Sequence, residues 1–529
     1  MALPRTIGGV PWWAAAVVLA GAAIAWVAAG VVTERAGAAR LPALPALPDL
    51  SAVPAPIREA IVLADARARA VPTAASISEL GRTYHANLRP LDAMTTYALA
   101  EGVAPAEWRW TYLRALLLEE RGDQGAARTA FERVAGLAPD FGPVWFRLGE
   151  LAFKQRRLDD ARAAYERARD APGAAPFAPA GVAARQVVPL SAYAGLGLAR
   201  VALERGDRKN AALTLRALVG SYPAFGPAVA LMRTAERRPE SGAGRSSAPD
   251  ATSDGPFVPP ADPLLDAIVA ESRHGDMLLK YAGIATRARD ASWREFLARR
   301  AFSFNPRDLN VLMEMAGMLQ ASGRLAEALE YLRMHETLAP GDHHTLVQQG
   351  KVLADLGRTG EAEAVLRRAV LVRDTTAEFN LGTVLDRQDR WEEARVHYLR
   401  ALAIDPFNTS AMNNLAVGLD RHGQTPDAIV HFERAIDIEP GNAEFYVNYG
   451  SALIGQKRLD DAIRVLTTSI GLEPRAPNAH NNLGIALAQQ ARLLDARAAF
   501  ERALQLDPAH VNARRNLEQT VAILRTGRP

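Results

Sequence analysis

The sequence predicts an all-α chain: an α-solenoid of helix hairpins in two arrays, preceded by a single N-terminal transmembrane helix. Three observations carry this reading. Pro406, Pro440, Pro474 and Pro508 stand 34 residues apart, each after an acidic residue (Asp405, Glu439, Glu473, Asp507). Small and apolar residues recur between them in one register at the same interval. Near the start, residues 10–32 run for 23 positions without a charge.

The chain opens on a short tail, residues 1–9. As a helix, residues 10–32 would span about 34 Å, enough to cross a hydrocarbon core of about 30 Å. Trp12, Trp13 and Trp26 suit the membrane interfaces. The stretch exceeds the apolar core of about 7–15 residues in a cleaved leader, so an uncleaved anchor is expected. Ala28-Ala29-Gly30 leaves cleavage by a signal peptidase open. Gly21, Ala25 and Ala29 form a stripe of small residues through which two such helices could pair as a homodimer. Arg5 lies on one side and Arg35, Arg40 and Glu34 on the other, so the charge count does not decide orientation. A very short tail before a first apolar segment stays in the cytoplasm, which places the bulk outside. Residues 33–56 follow as a spacer, and their prolines, near every third position from Leu41 to Pro56, favour an extended chain.

The first array, residues 57–238, begins with a helix around 57–70. Its hairpins start near Ala74, Trp108, Gly142 and Ala192. Numbering each unit from its first residue, position 20 is Ala93, Ala127, Ala161 and Ala211, and position 24 is Tyr97, Phe131, Tyr165 and Leu215. An insertion rich in Ala and Pro occupies 174–191. Position 6 is Glu79, Leu113, Arg147 and Gly197, without a common chemistry. At position 5, Tyr112 and Phe146 stand one repeat apart and could form an apolar slot, or pack between repeats. Half of the 24 residues from 239 to 262 are Pro, Gly or Ser. They read as a flexible linker with a span of about 25–30 Å, leaving two separately movable arrays.

The second array, residues 263–529, enters through a helix near Pro263, with units from Gly275, Leu309, His343, Thr375, Thr409, Ala443 and Pro477. The unit from His343 stops near Asp374 and lacks the terminal proline, a local irregularity. In the last four units position 8 is Gly382, Ala416, Gly450 and Gly484; position 20 is Ala394, Ala428, Ala462 and Ala496; position 24 is Tyr398, Phe432, Leu466 and Phe500. This is the i, i+3, i+4, i+7 spacing of two successive amphipathic helices. The small residues at 8 and 20 let paired helices approach, and proline at position 32 closes each unit. One hairpin cannot bury its apolar face alone, whereas stacked neighbours can. Val511 to Leu524 reads as a capping helix. Position 6 holds Asn380, Asn414, Asn448, Asn482 and, one period on, Asn516.

These columns resemble the tetratricopeptide repeat, whose 34-residue pattern is W-x2-L-G-x2-Y, then A-x3-F, then P. The resemblance implies that the first helix of each unit lines a concave groove and that position 6 faces into it. The amide column is similar to the asparagine ladder of the O-GlcNAc transferase superhelix, which grips the backbone of an extended peptide; no sequence remains for that enzyme's catalytic domain. Asparagines at this position also serve bonds within such arrays, and both readings stay open. Asp386-Arg387 and Asp420-Arg421 recur at positions 12 and 13, bordering the implied groove as a solvated face or as readers of ligand charge. Position 5 (Phe379, Asn413, Val447, Asn481) carries no basic residue, which speaks against the carboxylate-clamp type of repeat.

The bulk numbers narrow the function. The formal charge is only +3, with no long block of one sign, so no nucleic-acid footprint is expected. The absence of cysteine excludes disulfides, thiolate metal sites and a lipoprotein anchor. No phosphate-binding loop, dinucleotide fingerprint, HExxH or GxSxG is found, so no catalytic residue, cofactor or metal is assigned. His343-His344, the one close histidine pair, does not share a helix face. The expectation is a non-enzymatic scaffold, anchored in a bacterial inner membrane by one span with its bulk in the periplasm, that binds protein partners or extended peptides and organises an envelope assembly. The setting rests on fold-level analogy. The alternative is a substrate-recruiting or regulatory subunit of a separately encoded glycosyltransferase or other enzyme.

Overall fold

The computed structural model describes Thr6–Ile7, Val10–Pro11 and residues 43–173, 187–236 and 259–526. Two compact units divide it, Met1–Phe304 and Asn305–Pro529. In the first, α1 (Ala55–Ala70) precedes four hairpins: α2 (Ala74–Ala86) with α3 (Pro90–Val103), α4 (Trp108–Glu120) with α5 (Gln124–Leu137), α6 (Gly142–Lys154) with α7 (Leu158–Asp170), and α8 (Leu190–Glu204) with α9 (Arg208–Ser221). Then come α10 (Gly226–Glu236), α11 (Pro263–Glu271) and the hairpin of α12 (Gly275–Arg287) with α13 (Ala291–Phe304). The second unit stacks α14 (Leu309–Ala321) with α15 (Leu325–Leu338), α16 (His343–Asp355) with α17 (Thr359–Ala369), and α18 (Thr375–Arg387) with α19 (Trp391–Ile404). It continues with α20 (Thr409–Arg421) and α21 (Thr425–Ile438), α22 (Ala443–Gly455) and α23 (Leu459–Leu472), α24 (Pro477–Gln489) and α25 (Leu493–Leu506), and ends on α26 (Val511–Thr526). The molecule is thus an all-α solenoid of repeated hairpins.

Local chemistry sets the ends of these helices. Asp308, Asp342, Asp374, Asn408 and Asn442 cap α14, α16, α18, α20 and α22, their side chains accepting from N–H groups of the first turn. Inside every hairpin the turn passes through one left-handed residue at position 15. In some units this is a glycine, such as Gly423 at φ 77°; in others it is Leu88, Arg156, Arg289, Asp389, Lys457 or Ala491. Around Gly423 the N–H groups of residues 423 and 424 donate back to the carbonyls of Asp420 and Leu419 at 3.0 and 2.8 Å, closing the end of α20.

The small-residue columns do what their size allows. Ala394, Ala428, Ala462 and Ala496 are fully buried. A Cβ placed on Gly382 would lie 2.9 Å from the Tyr398 ring, and one on Gly484 would lie 2.5 Å from Phe500. In these two units glycine at position 8 therefore seats the ring at position 24, and a methyl group there would meet it, whereas in the unit from Thr409 position 8 already carries one, Ala416. The core of the second unit runs through these contacts, from Leu329 and Leu332 through Trp391, Tyr398 and Phe432 to Leu466.

Three expectations meet a different arrangement or fall outside the description. The proposed anchor, residues 10–32, lies outside the described residues apart from Val10–Pro11, which pair antiparallel as β2 with β1 (Thr6–Ile7). Among the described residues no helix is long and apolar enough to cross a membrane. The end of the spacer is no free rod: Leu50 is buried in the first unit's core, Leu44 and Val53 pack against it, and Arg69 donates to the Pro45 carbonyl at 2.6 Å. The linker expected at 239–262 does not mark the boundary between units, which falls at Phe304/Asn305. Residues 237–258 lie outside the described residues, but residues 259–304 pack within the first unit. Helix α11 rests on α2 and α4, with Ile268 buried in their core. Composition separated the arrays by their polar stretch; the apolar face of α11 decides where the segment after it goes.

Candidate functional site

In the second unit, position 6 of successive first helices places Asn380 (α18), Asn414 (α20), Asn448 (α22), Asn482 (α24) and Asn516 (α26), all half-buried. The structure adds Gln348, half-buried at the same position of α16. The amides are not independent. Asn413, at position 5 and buried, donates its Nδ2 to Asn414 Oδ1 at 3.3 Å and accepts at its own Oδ1 from Asn448 Nδ2 at 3.0 Å. Two repeats on, Asn481 does the same, donating to Asn482 Oδ1 at 3.2 Å and accepting from Asn516 Nδ2 at 3.0 Å.

These relays have a chemical consequence. An amide oxygen accepts two hydrogen bonds and its NH2 group donates two, so one relay bond occupies half of one end and leaves the other end whole. Asn414 and Asn482 each commit one oxygen lone pair and keep both N–H donors clear of the relays, that of Asn414 lying beside the Tyr398 hydroxyl. Asn448 and Asn516 each commit one N–H and keep their carbonyl oxygens whole. The ends that the relays leave whole therefore alternate: donor, acceptor, donor, acceptor. Asn380 stands outside the scheme, because its position-5 neighbour is Phe379. Asn413 and Asn481 are the residues that the sequence reading missed, noting them only as not basic. The available signal was that asparagine occupies position 5 in alternate repeats.

The two arginines read as border residues hold the array itself. Arg387 Nη1 donates to the Ala354 carbonyl at the end of α16 at 3.0 Å. Arg421 Nη2 contacts both oxygens of Asp386, one repeat back, at 2.8 and 2.7 Å, and Asp420 accepts from Thr425 Oγ1 at 2.8 Å. Both guanidinium groups remain largely exposed, with donors to spare. His343 faces Asp374 at 3.5 Å, and among the described residues no group of three or more His, Asp or Glu could hold a metal.

In the first unit the slot expected from Tyr112 and Phe146 is closed. Tyr112 is fully buried, its ring 5.0 Å from Phe141 and perpendicular to it, and its hydroxyl donates to Asp262 Oδ2 at 2.5 Å. Phe146 is buried against Tyr165 and Tyr193. Both rings fill inter-repeat space, and the stretch before α11 covers what remains. Burial raises the Tyr112 pKa well above its usual value, with Asp262 adding to it. Burial works to lower the Arg147 pKa, but the groups around it, Tyr112, Glu119 and Asp262, outweigh that and raise it. Arg147 pairs with Glu119 at 3.3 Å. A cavity of about 430 Å³ remains beside them, lined among others by His85, Glu120, Arg147, Asp266, Tyr281 and Trp293. Burial pulls the His85 pKa down to about 4, so its imidazole is neutral at pH 7.

Comparison with known proteins agrees with the repeat geometry. Family models described as tetratricopeptide repeat match residues 112–179 and 347–409, 193–224, 421–484 and 477–510. No curated protein matches the chain. Among solved structures, that of the Cut9-Hcn1 hetero-tetramer of APC/C is 13% identical, covering 88% of this chain and 93% of its own, at a TM-score of 0.40. A tetratricopeptide repeat protein from Parabacteroides merdae is 15% identical over 47% of this chain and 98% of its own, at 0.39. YrrB, described as a repeat protein with an unusual peptide-binding site, is 18% identical over 42% of this chain and 97% of its own, at 0.26.

Proposed function

Because the chain belongs to the tetratricopeptide repeat superfamily, we propose that it is a protein-interaction scaffold whose second unit grips an extended peptide along the wall formed by α20, α22, α24 and α26. The alternation of whole donor and acceptor ends from Asn414 to Asn516 supports this. A peptide backbone presents N–H and C=O groups whatever its sequence, and fixed side-chain amides of alternating sense suit it. Because the relays already hold the amides, little rotamer freedom is left to lose on binding. Each hydrogen bond contributes about 0.5–1.5 kcal/mol net. Affinity should therefore be modest and sequence tolerance broad, with Arg387 and Arg421 favouring acidic side chains near their end of the wall.

The same proposal has the protein held at a membrane by residues 10–32, with its bulk on the outer face and its partners belonging to an envelope assembly. The uncharged length of that stretch and its flanking tryptophans support the anchor. The binding part is tested by panning phage-displayed random decapeptides on the full-length chain and measuring the recovered peptides by fluorescence anisotropy. Replacing Asn414, Asn448 and Asn482 together with Ala should weaken them about tenfold or more, the loss of one or two such bonds. Unchanged affinity in a variant of parental helix content would refute the proposal.

A further inference from the structure

The inner wall of the first unit is occupied by its own chain. Asp262 caps α11 through the N–H groups of Leu264 and Leu265, both at 3.2 Å, and accepts the buried hydroxyl of Tyr112 on α4. Leu264 and Leu265 pack on the core of α2 and α4, and Ile268 is buried within it. At the far end Glu271 pairs with Arg82 on α2. Arg273 donates its backbone N–H to Asn87 Oδ1 at 3.2 Å and its Nη1 to the Pro56 carbonyl at 2.8 Å. The contact is thus an acidic cap, an apolar face and an ion pair, read by residues 150 to 217 positions away in sequence.

Two features set this contact apart from the joints between repeats. Repeat joints set small residues against rings, as Gly197 on α8 does against Tyr165 on α7, where an added Cβ would lie 2.6 Å from the ring. Here a cavity of about 430 Å³ lies among the wall, residues 259–266 and the α12–α13 hairpin, where repeat joints are close-packed. In sequence the segment is also separated from α10 by 22 residues, 237–258, rich in Pro, Gly and Ser, where two helices of one hairpin are only a few residues apart.

We propose that the wall of α2 and α4 is a second recognition site, for a short helix that begins on an aspartate cap, carries Leu-Leu and Ile on one face and ends on glutamate. In the free chain residues 262–273 fill it, and a partner segment of the same pattern takes their place. This groove is distinct from the amide wall of the second unit, and the two proposals fail separately. A tethered occupant competes at an effective concentration on the order of 1 mM. A free peptide with a dissociation constant in the tens of micromolar would therefore bind the parent chain about tenfold or more too weakly.

The probe is a fluorescein-labelled peptide of residues 259–273, titrated by anisotropy into the full-length chain. Ile268→Asp in the chain, which dislodges its own segment, should tighten peptide binding about tenfold or more relative to the parent. In that background Arg82→Glu should weaken the parental peptide and prefer a peptide carrying Glu271→Arg, a charge swap that a merely structural role would not reproduce. Absence of binding to an Ile268→Asp chain of parental helix content would overturn the proposal, as would indifference to the charge swap. If Ile268→Asp does not fold, the parent chain is cut at a protease site inserted between residues 246 and 251. Excess peptide of residues 259–304 should then separate the fragments on gel filtration. Fragments that stay together would show a fixed part of the core and overturn the exchange.

Discussion

Gly418→Ala tests the packing of the second unit at its tightest point. Gly418 lies on α20 against the indole of Trp391, the first residue of α19, and that ring is buried and stacked on His422 at 5.1 Å and 8°. A methyl group at 418 would fall 1.9 Å from Cζ3, 2.3 Å from Cη2 and 2.7 Å from Cε3 of the ring. Carbon atoms in contact stand about 3.5–4.0 Å apart, so the indole or the helix must move by roughly 1.5–2 Å. Two effects compete. Alanine is the better helix former by about 1 kcal/mol. Overpacking a core costs about 1–3 kcal/mol, occasionally more. A rigid bicyclic ring wedged between two helices and a histidine has no flexible end to yield, which puts the cost at the top of that range. The expected net loss is about 2 kcal/mol, or about 4–8 °C in melting temperature for a unit of this size. Trp391 is the one tryptophan between residues 305 and 529, so the part of the urea-induced fluorescence change that Trp391→Phe removes reports this unit. Gly471→Ala at the exposed end of α23, where nothing lies within 4 Å, is the control and should be neutral or slightly stabilising. A Gly418→Ala chain as stable as the parent would refute the close approach of α19 and α20.

Four further outcomes are expected. Ala462→Leu overpacks a fully buried contact of α23 and should lower the second unit's urea midpoint by an equivalent of about 1–3 kcal/mol; an unchanged midpoint would count against the packing. Ala491→Gly relieves a left-handed alanine at φ 61°, which costs an L-residue about 1–2 kcal/mol, and should raise the same midpoint; a fall would contradict the turn geometry. His85 has a folded pKa of about 4 against an ordinary 6.5, so between these values the unfolded chain binds more protons and stability rises with pH. The first unit should thus lose up to about 3 kcal/mol as pH falls from 6.5 to 4, and His85→Gln should flatten that slope in thermal melts; an equal slope in both would exclude the histidine. The intact chain should sediment with membranes and lose that on deletion of residues 1–40, and alkaline phosphatase fused after α26 should be active. An inactive phosphatase beside an active cytoplasmic reporter would reverse the orientation.

Much of the hairpin architecture was legible because its cause is local and periodic. The residues that open the repeats, from Ala74 to Pro477, begin helices in the structure, apart from Ala192, where α8 starts at Leu190. Proline, alanine and glycine act there through size and backbone alone. The fate of residues 259–304 was not legible, because composition marks where a chain lacks apolar side chains and not where its next apolar face will dock. Leu264, Leu265 and Ile268 looked like the entrance to the second array and instead pack on α2 and α4. The left-handed residue at position 15 was visible as a glycine column at Gly122, Gly206, Gly323, Gly357 and Gly423, but hidden where Leu88 or Lys457 stands. The asparagine column was visible by its period. Its polarity was not, since which end of each amide is left whole depends on Asn413 and Asn481 reaching across to a neighbouring repeat.

The amide wall is tested most directly by scanning the ligand. A peptide recovered by panning is prepared as an alanine series and as a series methylated at one backbone nitrogen at a time, and each is titrated into the full-length chain. If Asn448 and Asn516 accept from the peptide backbone, methylation at the matching positions should cost about tenfold. Most alanine changes should be tolerated, and Asn448→Ala should abolish the penalty at its own position. A peptide that loses affinity in the alanine series yet accepts methylation everywhere would contradict the account, showing recognition through side chains and asparagines that only brace the array.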